Sequence, residues 1–388
     1  MLIGHLIIGG LRSFEARPQR VALAPLTLVF GPNSAGKSSL LSVLPMLAQT
    51  AARPDVLTMS GDLVEGGTFR MAVHKHDTAT PVTLGFGWTS AQGAARESAI
   101  SFRWDPARRA AVRSHTELRD GADRGALQGP RPWGDQPGVA IFDRVTEEFW
   151  ATLDKVHFVG PMRARTERMT PVGQGMVDYV GPEGEEMAAV LHARPDLVVQ
   201  VNSWCDRLGL GYQVRMLDPV SPEIVKTTGE LAVLALEDIR QDPPVLVSAR
   251  GVGYGIGQLL PIIVQSLLSR GGLILVEQPE VHLHPRLQSA VGDLLIDTAA
   301  SGRAQLLVET HSEHLVLRLL RRVREGVLDP EDLAILYVDL DDDGAAFVRR
   351  LEVDREGDLV YGWPGGFFDE RLGEVLGRTP SGAAGSRP

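Results

Sequence analysis

Cysteine is almost absent from this sequence. A single residue, Cys205, among 388 excludes an internal disulfide and any cysteine-based zinc site. Within a helical stretch it reads as a small buried hydrophobe. Lysine is nearly as scarce, at four of the 39 basic residues, so arginine carries the positive charge. No apolar run approaches the roughly 20 residues needed to cross a bilayer. Met1–Ile8 has the apolar look of a signal core but lacks a basic start, and a phosphate motif follows closely. The expectation is therefore a cytoplasmic protein without a membrane partner. Internal repeats are missing, and no heptad run is long enough for a coiled-coil arm. A formal net charge of −10 argues against a globally basic nucleic-acid coat and leaves a local basic groove open. What remains, 44% hydrophobic and 23% charged, is the composition of a well-cored soluble protein with one large or two ordinary domains.

The informative stretch is Gly31, Pro32, Asn33, Ser34, Ala35, Gly36, Lys37, Ser38 and Ser39. Its spacing, G-x-x-x-x-G-K-S, is that of a phosphate-binding loop. The apolar run Leu26–Phe30 precedes it and Leu40-Leu-Ser-Val-Leu follows, giving strand, loop and helix. Gly31 and Gly36 permit the tight turn that aims successive N–H groups at phosphate oxygens. Lys37 reaches the β- and γ-phosphates, the Ser38 hydroxyl is placed for Mg²⁺, and the helix start adds its positive end. A Gly-rich turn with an incidental lysine would not have this flanking.

Along the chain, Leu2–Leu11 and Val21–Phe30 read as two strands. Residues 38–52 read as a helix that ends at Arg53-Pro. Strand-like pieces at Thr68–His74, Val82–Phe86 and Ala99–Trp104 point to an antiparallel meander. Residues 105–138 are polar, with seven arginines between Arg103 and Arg131 against four acids. That pattern fits a solvated loop better than a phosphate-contacting surface. Residues 140–154 are helical, and Val156 onward is a strand. Helices follow at Gly184–Leu191 and Pro195–Leu208, then strands at Tyr212–Leu217 and Leu231–Leu236. From Gln258 the pattern alternates: helix to Leu268, strand Leu273–Glu277, helix Pro285–Ala300, strand Ala304–Glu309, helix Glu313–Glu325, then strands Leu333–Asp339 and Ala346–Val353. That alternation predicts a parallel sheet. Because the phosphate loop lies at one end and acid-tipped strands at the other, the core is discontinuous and the middle is inserted into it. The tail beyond Gly377 reads as disordered.

Leu273–Glu277, followed by Gln278, Pro279 and Glu280, has the form of a Walker B strand, which carries a carboxylate to its tip to hold the Mg²⁺ shell. Glu277 and Ser38 are thus the candidate metal ligands. Glu309, Thr310, His311 and Ser312 end the next strand, where a histidine can hydrogen-bond the γ-phosphate or the attacking water. The glycines at 251, 253, 255 and 257, leading to Gln258, offer backbone N–H groups at a helix start. His282 and His284 lie at i, i+2 with no cysteine near, a poor zinc pattern.

In that order these pieces resemble the ABC-type ATPase heads of the RecF/SMC/OLD kind, over nearly the whole chain. Gly10-Leu-Arg-Ser-Phe14 and the phosphate loop look like the start of such a head. Gln278–Pro285 resembles the stretch that joins Walker B to the D-loop, which puts His284 at the D-loop aspartate. Thr310-His311-Ser312 looks like the switch histidine. Gly253–Gln258 sits where the signature loop belongs, though it departs from the usual Ser-Gly-Gly. Gly61–Phe69, Val159–Arg163, Val276–Glu280, Glu309–His314 and Trp363–Glu370 are similar to bacterial AAA-family ATPases with a short C-terminal domain of unknown function.

The resemblance implies an α/β fold: a P-loop NTPase of ABC-head type with a mixed, mainly parallel core, an antiparallel meander and an inserted helical lobe. The expected divisions are 1–104, the first part of the core with the phosphate loop and meander; 105–257, the inserted lobe with the signature-like loop; 258–353, the second part with Walker B, D-loop and switch histidine; and 354–388, a C-terminal extension. It also implies ATP and Mg²⁺ as cofactors, with ATP held between two heads of a homodimer or higher homo-oligomer. Lys37 of one head would face Gly255, Gly257 and Gln258 of the other, together with His284. A separate protein effector, in antiphage defence or DNA maintenance, goes with that picture.

One departure stands out. The catalytic glutamate of such heads is replaced by Gln278, and a neutral amide cannot take a proton from water. Glu280 or Glu309 would then supply the base, or His311 would orient the water alone. Otherwise turnover is slow, and the protein is an ATP-gated switch or a non-hydrolysing scaffold. A nuclease of the OLD type would need metal-binding acids. Asp339-Leu-Asp-Asp-Asp343 offers them, but as a turn after a strand they read as solvated acids.

Overall fold

Strand β1 (Ile3–Gly9) forms a hairpin with β2 (Gln19–Ala22), and the chain then leaves that sheet. Pro25 has no N–H to give to a ladder. Just beyond it, Thr27 Oγ1 accepts from Ala24 N at 2.9 Å and donates back to Ala24 O. The run expected as one strand, Val21–Phe30, is therefore split, and β3 (Leu26–Phe30) enters a second sheet. The computed structural model describes residues 2–130, 139–165, 167, 169–172, 178–217, 226–227 and 229–364.

After β3 come the short helix α1 (Lys37–Leu41), α2 (Val43–Thr50) and the single turn α3 (Phe69–Ala72). The last lies where Thr68–His74 was expected as a strand. Phe69 and Ala72, three apart, are buried while Arg70 and Met71 face out, a helical spacing. The antiparallel sheet continues through β4 (Val82–Thr89), β5 (Ala95–Asp105), β6 (Ala110–Asp120) and β7 (Asp123–Gln128), in the order β2-β1-β4-β5-β6-β7. The stretch from 105 expected as a solvated loop is thus strand to residue 128, past the division expected at 104. The alternation was hidden because β6 buries arginine: Arg113 is enclosed, donating to Pro54 O beside Asp55 at 3.3 Å. Residues 131–138 lie outside the described ones.

Helix α4 (Val139–Leu153) crosses this sheet, fixed by Glu148, which accepts from Trp88 Nε1 at 3.0 Å and from Arg96. Next come β8 (Val156–Val159), β9 (Thr170–Pro171), α5 (Met187–Ala193), α6 (Pro195–Leu208), β10 (Tyr212–Leu217), β11 (Leu231–Asp238) and β12 (Val245–Ser248). Strands β9 to β12 form a small antiparallel sheet of their own. The chain then alternates as expected: α7 (Tyr254–Leu268), β13 (Leu273–Glu277), α8 (Pro285–Ala300), β14 (Gln305–Glu309), α9 (Glu313–Arg324), β15 (Leu333–Leu340) and β16 (Ala346–Leu351). Among the described residues the longest helix is α8, at 16 residues, and none is long and apolar enough to cross a membrane.

The central sheet runs β16-β15-β3-β14-β13-β8, parallel except for β16 at its edge. Period-two alternation divides its side chains between two cores. Leu28, Phe30, Ile274, Val276, Leu306 and Val308 face α5 to α9; Val29, Leu273, Leu275 and Leu307 face the antiparallel sheet with α1, α2 and α4. The parallel strands are covered on both sides, as such strands must be. Gln305 ties the layers together: its amide accepts from Ile3 N at 2.9 Å and donates to Ile3 O and Ala24 O. The acids at Asp339–Asp343 serve the β15–β16 hairpin. Asp339 accepts from the Tyr337 hydroxyl, and Asp341 Oδ1 accepts from the N–H groups of Asp343 and Ala345.

Glu97 on β5 gathers His5 Nε2 at 2.7 Å and the Arg20 guanidinium at 2.7 Å. The hydrogen bond from His5, followed by those from Arg20, holds its carboxyl well below the ordinary 4.5, at about 2, against the opposing effect of burial. A depressed carboxyl contributes stability above the unfolded pKa and loses it as pH falls through the folded one. Glu97→Gln is expected to lower the unfolding free energy by about 2 kcal/mol at pH 7. The gap to the unaltered protein should close between about pH 4.5 and pH 2, and urea unfolding across that range measures it.

Candidate functional site

The carboxyl ends of β3, β14 and β13 lie side by side at one end of the sheet, the end where open parallel sheets present ligands. Gly31 begins the loop there with φ 146°, and β15 passes so close that a Cβ would lie 2.1 Å from Val338 O. Only glycine fits. Gly36, at φ 113°, caps α1, and Ser34 takes the left-handed region at φ 64°. Inside the loop, Lys37 Nζ donates to Gly31 O at 3.1 Å and Pro32 O at 2.7 Å. Burial lowers the Lys37 pKa, and Glu309 opposes that shift.

Three glutamates stand near. Glu277 ends β13, half-buried; its carboxyl is pushed up to about 7, first by burial and then by Glu309, with Arg163 and Arg12 opposing. Glu280 is enclosed and accepts from Thr310 Oγ1 at 2.9 Å and His311 N at 2.6 Å, so it staples the tip of β13 to that of β14. Glu309 Oε2 accepts from the Ser38 hydroxyl at 3.0 Å. Burial raises the carboxyls of Glu280 and Glu309 as well. Gln278 sits between, with φ 45°, and its N–H donates to Glu309 O at 2.8 Å. His311 is exposed; desolvation and then Lys37 lower its pKa, which favours the neutral ring. Lys37, Ser38, Glu277, Gln278, Glu280, Glu309 and His311 are thus brought to one end of the sheet.

The signature-like stretch lies elsewhere. Gly255, Gly257 and Gln258 belong to the first turn of α7 instead of a free loop. Gly255 lies against the chain at His282, where a Cβ would come within 2.6 Å of the carbonyl. Beside that turn is a cleft of about 150 Å³ lined by Arg165, Arg250, Gly253 and Tyr254 among others. Gln258 is buried and clamps the backbone of Arg163, accepting from its N–H and donating to its carbonyl at 2.8 Å. His282 packs edge-on against Tyr254 at 4.6 Å. His284 caps α8, its Nδ1 accepting from Arg286 N, so both histidines have structural occupations. Trp363 packs edge-on against Phe30, the last residue before the phosphate loop, at 6.0 Å. Residues 365–370 of the Trp363–Glu370 stretch lie outside the described ones.

Sequence reading gave Arg163 no role. It follows β8, is 2% exposed, and donates to Glu277 O at 2.6 Å, while its Nε and Nη1 have no acceptor among the described residues. Burial brings its pKa down to about 10 against the pull of Glu280 and Glu277. The available signal was a strand, Val156–Val159, running into Gly-Pro and then Arg163 and Arg165.

Comparison with known proteins fits this geometry. Over most of the chain the fold is similar to an SMC head solved in complex with the C-winged helix domain of ScpA. The TM-score is 0.54 at 13% identity, covering 92% of this chain and 99% of that one. The SMC head domain from Thermotoga maritima aligns over 91% of this chain and 100% of its own, at 14% identity and TM-score 0.48. No curated protein sequence matches. The fold is therefore that of an SMC head. More narrowly, residues 242–318, which hold β12, α7, β13, α8 and β14, match the family described as AAA domain, putative AbiEii toxin, Type IV TA system. Residues 328–376 match a protein family of unknown function, DUF3696, in keeping with the C-terminal domain expected from sequence.

Removing the Arg163 side chain would leave the Glu277 carbonyl without its donor and the Glu277 and Glu280 carboxyls without their neighbouring cation, while the backbone bonds to Gln258 stay. Arg163→Ala is expected to cost about 3 kcal/mol of stability, against about 1 kcal/mol for His284→Ala, which removes only a helix cap. Chemical denaturation of the two variants side by side checks the ranking.

Proposed function

We propose that this protein binds ATP with Mg²⁺ in the Gly31–Ser39 loop and hydrolyses it slowly, closing head-to-tail as a dimer to drive or gate a partner. The observation that carries the reading is the convergence of Lys37 and Ser38 with the Glu277 and Glu309 tips. The loop's N–H groups and Lys37 would hold the β- and γ-phosphates. His311, its neutral form favoured beside Lys37, would orient water or sense the γ-phosphate. The donor set fits magnesium. Among the described residues no group of three or more His, Cys, Asp or Glu could hold a metal alone, and Mg²⁺ is usually bound by one or two carboxylates plus substrate phosphates. When bound, it neutralises charge on the transferring phosphoryl group.

Slow turnover follows from Gln278, which has no carboxylate to act as base, and from Glu280, whose oxygens are taken by Thr310 and His311. The same facts favour a second reading, an ATP-gated scaffold that does not hydrolyse. In the dimer, Gly255, Gly257, Gln258 and His284 would face the other head's nucleotide, and the Arg165–Arg250 cleft supplies cations for it. The divisions at 104, 257 and 353 would then mark the lobes that move together, with the first extending to the end of β7. A protein effector is supported by the related head solved with a ScpA domain. A defence role is supported by the toxin–antitoxin wording of the matched family. A cytoplasmic location accords with both.

The test is nucleotide binding and steady-state hydrolysis by the whole chain, with oligomer size followed with and without ATP. Lys37→Ala should weaken ATP binding by about a hundredfold. Gln278→Glu should raise turnover at least tenfold. Unchanged turnover in Gln278→Glu would favour the scaffold, and ATP binding indifferent to Lys37→Ala would remove the whole reading.

A further inference from the structure

Parallel pairing sets Glu277 of β13 directly beside Glu309 of β14. Adjacent strands lie about 4.8 Å apart, so two carboxylates stand next to each other at the strand tips. Like charges so placed repel, and burial makes each harder to ionise. The third acid, Glu280, is satisfied by Thr310 and His311. Glu309 is different. It is 3% exposed, and its donor among the described residues is the hydroxyl of Ser38.

Its position is tightly set. Glu309 is level with Val29 on β3, two residues before Gly31. Its carbonyl accepts from Gln278 N, and the following N–H, of Thr310, donates to Val29 O. The side chain is thus aimed from the middle strand at the very hydroxyl that the phosphate loop offers to a metal. A general base needs a carboxylate oxygen open to water, and an enclosed carboxylate already held by Ser38 does not offer one. A hard cation between Ser38, Glu309 and Glu277 would relieve the repulsion and the burial together. Arg163, enclosed beside Glu277, has Nε and Nη1 without acceptors among the described residues, which leaves them free for an anionic ligand.

We propose that Glu309 is a second carboxylate of the magnesium site, acting with the Ser38 hydroxyl and with Glu277 on the neighbouring strand. This rests on the reading of Gly31–Ser39 as an ATP–magnesium site. It assigns the two acids jointly to the metal and leaves the base position vacant in this chain, so turnover waits on water oriented by His311 or on a partner.

Manganese is the probe. The whole protein is saturated with a non-hydrolysable ATP analogue and titrated with Mn²⁺, free Mn²⁺ being read by its paramagnetic resonance signal. Glu309→Gln should weaken Mn²⁺ retention by at least about tenfold, close to the effect of Ser38→Ala. Analogue binding in EDTA should stay unchanged, and Glu309→Asp, which keeps a shorter carboxylate, should recover part of the loss. Wild-type Mn²⁺ affinity in both Glu309 variants, with Ser38→Ala impaired, would overturn the proposal while leaving the ATP reading intact. Failure of the unaltered protein to bind the analogue in a Lys37-dependent way would overturn both.

Discussion

The structure depends on the pairing of β3 on both of its edges. Leu26–Phe30 is a five-residue strand buried throughout, and its ladder partners come from residues some 280 to 310 positions later. Until those partners arrive, its N–H and C=O groups have no acceptors or donors in the sheet, and burying them unpaired would be costly. Closing so long a loop costs only slowly more entropy as the insert grows. This is why the chain tolerates the antiparallel sheet and the α5–β12 lobe between the two parts of one core. Gln305 reinforces the closure by bonding β1 and Ala24 across the layers.

The same pairing makes the chemistry. β3 brings the phosphate loop, β14 brings Glu309, Thr310 and His311, and β13 brings Glu277, Gln278 and Glu280. No one of these segments is a site by itself. The sheet's register decides which carboxylate meets Ser38, and it is the one on the middle strand, with Glu277 a further strand away. Arg163 arrives from β8 on the far side and joins this cluster to α7 through Gln258.

Much of this was legible in sequence, for a physical reason. Fully apolar strands bounded by turns, and helices of regular period, declare themselves, so the alternation from α7 to β16 was read with bounds within a few residues. The phosphate loop was legible because its glycines answer steric demands that few sequences meet. What escaped depended on tertiary partners. β6 was hidden by Arg113, which is buried only because Pro54 and Asp55 receive it. The β2–β3 break was set by one proline and one threonine inside an apolar run. The relation of Glu309 to Ser38 could not be read from spacing, because strand order, not chain order, makes them neighbours. That His284 caps a helix and that Gln258 clamps the Arg163 backbone were likewise set by tertiary neighbours that spacing does not show.

Trp363, near the end of the described chain, leans edge-on against Phe30, the residue that hands the backbone over to Gly31. The root of the phosphate loop and the last described turn of the chain therefore meet in an aromatic contact. Binding free energies at linked places are reciprocal. If nucleotide shifts Phe30, the grip on Trp363 changes by the same amount, and whatever takes hold of the chain around Trp363 alters nucleotide affinity in return. Trp363 would then work as a handle on the loop, far in sequence from Gly31–Ser39.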